Sequence, residues 1–325
     1  MEYEVQRLTD RDAIRDGIDC WNRRYPAFSL PEWAVAQNVF APFDGLDVTV
    51  WGACSDGDVI AVALGKRLVE SIPDYAGPEQ GWIGLFAVTS SIPDRGVIAD
   101  ELLQTVERAM ADRGVSRLRF GGDPGQFLPG LPAEFDDLRG ILDDAGFETQ
   151  ETVYDLQRDI TGFDPGGRVA EVRESWPDLT VERVGANAAD LHAFLADQFP
   201  GRWNYEARNV CRVPGGGDDY WLVRHNGTTV GFARANTPDS AYCGANVNWA
   251  THLDGAVCGL GPLGVHRSYR GRGWGLWMIA SIVERYRDKG YDRMVIDWTG
   301  LLDYYGKLGF EPWRTYETLT KEVSA

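Results

Sequence analysis

The residues best suited to chemistry stand together in Leu263-Gly264-Val265-His266-Arg267-Ser268-Tyr269-Arg270-Gly271-Arg272-Gly273-Trp274-Gly275. A short apolar strand ends there, a turn of arginine and glycine follows, and a helical pattern starts through Met278, Ile279, Ile282, Val283 and Tyr286. The first amides of a helix lack intrahelical partners and sit at the positive end of its dipole, so such a start can hold an anion. Gly271, Gly273 and Gly275 let backbone approach a phosphate where a Cβ would obstruct, and Arg270 and Arg272 add positive charge. An ordinary tight turn between strand and helix reads the same way, and glycine-rich turns also serve dinucleotide-binding and P-loop proteins. Two features argue against both of those: the chain has no Gly-Lys-Ser/Thr, and the turn lies far from the start of its domain.

Further along stands Tyr305-Gly306-Lys307-Leu308-Gly309-Phe310. With that element included, the stretch resembles the GNAT N-acetyltransferases. The family's coenzyme-A motif, Arg/Gln-x-x-Gly-x-Gly/Ala, is matched by Arg270, Gly273 and Gly275; its strand motif Leu-x-Val by Leu263 and Val265; its Tyr-x-x-x-Gly-Phe element by Tyr305, Gly309 and Phe310. Three elements in order cover roughly residues 180 to 320. They depart from the family at Trp298, where an asparagine often stands seven residues before the tyrosine. The resemblance implies acetyl-CoA as cofactor, held by Leu263, Gly264 and Val265 on the strand and by Arg270, Gly271, Arg272, Gly273, Trp274 and Gly275 on the turn. It also implies an α/β (α+β) fold of two tandem GNAT domains, each a mixed, mostly antiparallel sheet with flanking helices.

Acetyl transfer to an amine needs a polarised thioester carbonyl, a deprotonated amine and a stabilised leaving thiolate. Backbone amides around residues 263–265 can act as oxyanion donors, and Tyr305, placed over the sulfur in the family pattern, is the natural acid. A tyrosine packed at a domain edge is the plain alternative. Residues 256–260 offer no carboxylate for a base. Asp297, ending the strand-like Met294-Val295-Ile296, is the best local candidate and reads equally as a turn cap; Asp254 and His252 are weaker ones.

For the acceptor, Phe199-Pro200-Gly201-Arg202-Trp203-Asn204-Tyr205-Glu206 and Asn246-Val247-Asn248-Trp249 combine aromatic rings with amides and charge. Arg202, Trp203, Tyr205, Asn246, Asn248 and Trp249 together suit a sugar ring, while any one of them alone reads as an aromatic or amide docked into a core. The Phe-Pro-Gly-Arg-Trp segment and a degenerate first copy are similar to the bacterial glucosamine/glucosaminide N-acetyltransferases. Cysteinyl and aminoglycoside amines are alternative acceptors, and a non-catalytic acyl-CoA sensor is an alternative of another class.

The elements that must position these residues occur twice. Residues 82–88 form a strand-like run, followed by Pro93-Asp94-Arg95-Gly96, a helical pattern through Leu102, Leu103, Val106 and Met110, a stop at Gly114, and a second strand at 115–120. The order repeats about 170 residues later around Arg270-Gly271, with a stop at Gly290 and a strand at 293–297. Asn226-Gly227 marks a hairpin. The breaker-rich Gly162-Phe163-Asp164-Pro165-Gly166-Gly167 places the boundary near residue 160, giving domains 1–160 and 161–325. In the first copy Ile98 stands for Gly273, Asp100 for Gly275 and Leu142 for Tyr305, so no cofactor is expected there.

The whole chain has 325 residues, with 49 acidic against 32 basic side chains and a formal charge of -17. So acidic a chain has no general basic face for nucleic acid. No apolar run reaches the roughly 18 residues of a membrane span, and the first residues lack a signal-peptide pattern. Five cysteines without a Cys-x-x-Cys pair argue against a disulfide framework or metal site. The expectation is a cytoplasmic enzyme, monomer or homodimer, acting on a small-molecule amine.

Overall fold

The computed structural model describes residues 1–90 and 92–323, and the chain divides into two compact units. The first unit contains β1 (Glu4–Leu8), α1 (Arg11–Arg24), α2 (Glu32–Val35), β2 (Leu46–Ser55), β3 (Asp58–Leu68) and β4 (Gln80–Val88). It continues through α3 (Arg95–Ala111), β5 (Arg117–Phe120), the two-residue β6 (Leu131–Pro132) and α4 (Asp136–Asp144) into β7 (Glu148–Asp159). The second contains α5 (Gly166–Ser175), β8 (Leu179–Arg183), α6 (Ala189–Gln198), α7 (Arg202–Val210), β9 (Tyr220–His225) and β10 (Thr228–Asn236). It closes with β11 (Val257–Val265), α8 (Trp274–Asp288), β12 (Arg293–Thr299), α9 (Leu302–Gly306) and the start of β13 (Glu311–Glu322).

The two units repeat one topology. In the first, β1, β2, β3 and β4 pair antiparallel in sequence order, and β5 joins β4 in parallel, with α3 lying between them in the chain. In the second, β8 to β11 form the same antiparallel run and β12 joins β11 in parallel after α8. A parallel step needs a crossover, and the helical pattern supplies one in each copy. Asn226 and Gly227, at φ of 50° and 77°, make the left-handed two-residue turn that joins β9 to β10. Gly114 and Gly290, at φ of 87° and 90°, follow the ends of α3 and α8.

The sixth strand of each unit is where the structure departs from a simple cut near residue 160. Unit 1 is Met1–Val153 with the segment from Thr315 onward, and unit 2 is Tyr154–Arg314. The strand beside β5 is the C-terminal part of β13, with Leu319 opposite Phe120 and Glu322 opposite Arg117. The strand beside β12 is the second part of β7, with Val295 opposite Gln157 and Ile296 opposite Leu156. A repeat in the sequence carries no record of such an exchange, because pairing partners are set by tertiary contact.

In unit 2 the core forms where α8 lies on the sheet. Met278, Ile279, Ala280, Ile282 and Val283 are fully buried and pack with Cys258, Leu260, Met294 and Ile296. Truncating any of the larger ones to alanine costs about 2–5 kcal/mol. All five cysteines are free thiols. Among the described residues no helix is long and apolar enough to cross a membrane, and no group of three or more His, Cys, Asp or Glu could hold a metal.

A chain ending at Arg314 lacks the strand that pairs with β5. In limited proteolysis with mass spectrometry, its first unit is expected to be cut many times faster than in the full chain, while 154–314 stays protected. Equal protection of both halves would mean that β13 contributes little to the first unit.

Candidate active site

The site begins with an interruption in β11. Opposite β10, Leu263 pairs with Ala233 and Leu260 with Ala235, so three steps on β11 face two on β10. The extra residue falls at Gly261-Pro262, and proline has no N–H to give the ladder. On its other side β11 is paired with β12 only from Val257 to Gly259, opposite Arg293 to Val295. The outer half of β11, residues 261–265, is half-buried and outside that parallel pairing.

A chain of amides secures the interruption. Asn236 Nδ2 donates to Asn246 Oδ1 at 2.8 Å, Gly244 N–H donates to Asn236 Oδ1 at 2.7 Å, and Asn246 Nδ2 donates to the Gly261 carbonyl at 3.4 Å. A Cβ at Gly259 would collide with Asn246, so glycine is needed for this seat. Asn246, Asn248 and Trp249, read from sequence as acceptor contacts, are 4%, 3% and 3% exposed. Asn246 thus touches the bulge directly, whereas Trp249 lies with the Arg314 guanidinium 5.2 Å from its ring centre.

At the end of β11 the chain enters the turn. His266 N–H donates to the Val230 carbonyl, and Arg267 N–H to Gln198 Oε1 of α6 at 3.0 Å. Gly271 and Gly273 adopt φ of 81° and 83°, a region that side chains with a Cβ avoid. Gly273 caps α8 without any side-chain bond, leaving the first amides of the helix to other partners. Trp274 is 1% exposed, its ring stacked on that of Tyr269 at 4.9 Å. Arg270 and Arg272 are exposed; Arg272 lies 5.1 Å from the Tyr269 ring centre and 5.5 Å from those of Trp176 and Trp274. Sequence reasoning missed Arg168 of α5, whose Nε and Nη2 lie 3.4 and 3.5 Å from where a Cβ on Gly273 would stand. Its stretch reads as a helix that follows the breaker-rich boundary and ends near Trp176-Pro177, and no local pattern ties it to the turn. Positive φ, uncapped amides and flanking arginines fit a phosphate-bearing coenzyme.

The other wall comes from β12 and α9. Asp297 Oδ1 lies 3.3 Å from the position a Cβ on Gly261 would take, beside the bulge. Tyr305 is 7% exposed; burial raises its pKa above the usual phenol value, and Tyr304 and Asp297 raise it further. It therefore holds its proton at neutral pH. Tyr304 packs edge-on to Tyr305 at 5.2 Å and its hydroxyl occupies the space a Cβ on Gly275 would need. Burial pushes the Tyr304 phenol up to about 12.

On the face opposite α8, Phe199 covers Gly264, where any Cβ would collide with its ring. Trp203 packs with Phe199 at 5.1 Å and Phe232 at 5.7 Å. Arg202 is bonded to Glu206 at 2.8 Å and stacks 4.5 Å from the Trp298 ring centre; Tyr205 is half-buried on the same helix. The structure thus puts Asp297 beside Gly261 of β11, leaves Tyr305 within reach of its charge, and joins Arg202 to Trp298.

Residues 188–310 match the model of the acetyltransferase (GNAT) family. No curated protein sequence matches the chain. Among solved structures the chain is similar to a GCN5-related glucosamine N-acetyltransferase region of a fungal multi-domain GH3 β-N-acetylglucosaminidase, with a TM-score of 0.84 and 19% identity over 98% of this chain. It spans only 38% of that protein's length. A tandem GNAT protein from the clavulanic acid biosynthesis pathway gives 0.65 and 17% identity, covering 100% of this chain and 99% of that one. An N-acetyltransferase from Sphaerobacter thermophilus gives 0.66 and 15%, covering 99% and 96%. At these identities the shared property is the fold.

Packing at Gly273 is open to a direct check. Gly271→Ala meets nothing within 4 Å and is expected to lose about 1 kcal/mol from backbone strain alone. Gly273→Ala adds a methyl 2.8 Å from Val172 Cγ2 and is expected to lose about 2–3 kcal/mol. Urea unfolding of both variants separates the two costs; equal losses would remove the contact with α5 from the account.

Proposed function

With residues 188–310 forming an acetyltransferase domain of the GNAT family, we propose that the chain moves the acetyl group of acetyl-CoA to the primary amine of a small molecule, an amino sugar of the glucosamine type. The observation that carries the reading is Asp297 set beside Gly261, on the half of β11 that has left β12, with Tyr305 within reach of its charge and the uncapped start of α8 one turn away. Acetyl-CoA, when bound, supplies an activated thioester. Amides at Trp274, Gly275 and Leu276, with Arg270 and Arg272, hold its phosphates. Backbone groups of residues 263–265 orient the arm and polarise the carbonyl. Asp297 accepts the proton released when the amine nitrogen bonds to the carbonyl carbon. The Tyr305 hydroxyl gives its proton to the sulfur as the C–S bond breaks.

The amino-sugar acceptor rests on the whole-chain likeness to the fungal glucosamine N-acetyltransferase region and on the rings and charges that α7 and β12 contribute. Thiol release with glucosamine, a chitosan oligomer, an aminoglycoside and a cysteinyl amine tests it; no turnover of the first two excludes this acceptor class. Tyr305→Phe is expected to lower kcat by about 10²–10⁴ with little change in KM for acetyl-CoA. Activity should rise with pH as the amine loses its proton, near 8 for an ordinary α-amino group. It should not fall again below about pH 10, because burial keeps Tyr305 protonated there.

The same reading assigns cofactor binding to the second unit alone, leaving the first a structural or substrate-shaping role. The matching register in the first unit puts Gly121 where Asp297 stands, since Ile83 pairs with Phe120 and the chain then turns away. Gly121 N–H bonds back to the Ile83 carbonyl, and Lys66 and Asp123, both fully buried, form an ion pair beside that turn. Lys66 also donates to the carbonyls of Pro124 and Gly125, so the loop is tied into the space after β5. Ile98 and Asp100, the sequence counterparts of Gly273 and Gly275, lie inside α3, which starts at Arg95 with Asp94 before it. Isothermal titration should find one acetyl-CoA per chain; two would overturn this assignment.

A further inference from the structure

Trp298 is a bulky aromatic residue at φ of 43°, in the left-handed region that favours glycine. Among the described residues four other non-glycine positions share that conformation; three are aspartates and one is asparagine, the types that tolerate it. The cost at Trp298 is about 1–3 kcal/mol. What holds it is visible: the pairing of β12 with β7 shifts register between Ile296 and Thr299, and the Trp298 N–H donates at 3.1 Å to Oδ1 of Asp155, a carboxylate only 2% exposed.

The strain has a geometric product. Side chains alternate along a regular strand, so neighbours 297 and 298 would leave the sheet on opposite faces. Gly259 and Gly264 pair with Asn236 and Phe232, four residues apart, and therefore share a face. Asn246 lies over Gly259, and Phe199 and Trp203 lie beside Phe232, so this is the face that α6 and α7 cover. Asp297 meets Gly261 next to Asn246 on that face. Trp298 meets Arg202, the first residue of α7, on it as well. The left-handed residue puts a carboxylate and an indole side by side.

We propose that Trp298 is an acceptor-specificity residue: its indole, set beside Asp297 by the strained bulge and oriented by Arg202, packs against the C–H face of a hydroxylated ring whose amine reaches the Asp297 carboxylate. This rests on the acetyl-transfer reading above and adds the residue that selects a ring over an open chain. Arg202, pinned by Glu206, fixes the indole plane and places donors near the ring's hydroxyls.

The test compares glucosamine with ethanolamine, an amine carrying a hydroxyl but no ring, in steady-state kinetics at saturating acetyl-CoA. Trp298→Ala is expected to raise KM for glucosamine about fivefold to tenfold relative to KM for ethanolamine, consistent with the loss of one aromatic stacking contact. Trp298→Phe should recover most of that ratio. Trp298→Gly, which accepts the backbone conformation, should lose the ratio as fully as alanine while melting at a higher temperature than Trp298→Ala. An unchanged ratio in the alanine and glycine variants, with both folded by thermal melt, would falsify the role of Trp298. Wild-type protein that acetylates ethanolamine but not glucosamine overturns the amino-sugar acceptor and this inference together. Wild-type protein that acetylates neither, nor any amine of the wider panel, overturns acetyl transfer itself.

Discussion

A β-strand that stops pairing leaves a row of backbone donors and acceptors that must find other partners, and much of the second unit is arranged around one such row. The parallel ladder between β11 and β12 ends at Gly259, and proline at 262 breaks the ladder on the opposite edge. The cost is met locally: Asn246 bonds the Gly261 carbonyl, and Asn236 holds Asn246 in turn. Everything proposed as chemistry lies within reach of this opening. In the proposed reaction the helix start, the buried phenol and the carboxylate depend on a strand that keeps one edge, the edge toward β12, out of the ladder.

The first unit shows the same fold without that opening. Its fourth strand also bulges, at Gly84, where pairing with β3 shifts between Leu64 and Gly65. There the chain after β5 folds back onto β4 and is anchored by a buried lysine and aspartate. A buried pair of this kind adds little net stability by itself, but loss of either partner strands a charge. Duplication therefore preserved the backbone course and the helix crossover, and the difference between the copies is whether the widened edge is filled by protein.

Sequence reading found the parts whose chemistry is local. Turn residues that need positive φ, such as Gly271, Gly273 and Asn226-Gly227, announce themselves by type, and the apolar spacing of α8 announces its buried face. The pairing of β12 with a bulge, the stacking of Arg202 on Trp298, and the approach of Arg168 to Gly273 join residues far apart in sequence. Trp298 was legible only as a departure from a family pattern, because backbone strain leaves no trace in residue type when the residue is one that normally avoids it. Asp155 was silent for the same reason, being one acid among 49 until its carboxylate is seen to accept the Trp298 amide.

The exchanged sixth strands also bear on how the molecule is made. During synthesis the N-terminal unit emerges first, yet its edge at β5 waits for residues 315–322, far downstream in the chain and beyond the whole of the second unit. The second unit, by contrast, has Tyr154–Asp159 in hand before its own sheet begins. At ordinary elongation rates of about 5–20 residues per second, the earlier half spends on the order of ten seconds or more with an open strand edge. The later half has every strand of its sheet at hand first, reversing the order in which the halves were translated. An open edge is a template for pairing with other chains, so nascent copies on one messenger are exposed to mispairing during that interval, and a chaperone that shields β5 would act before β13 exists.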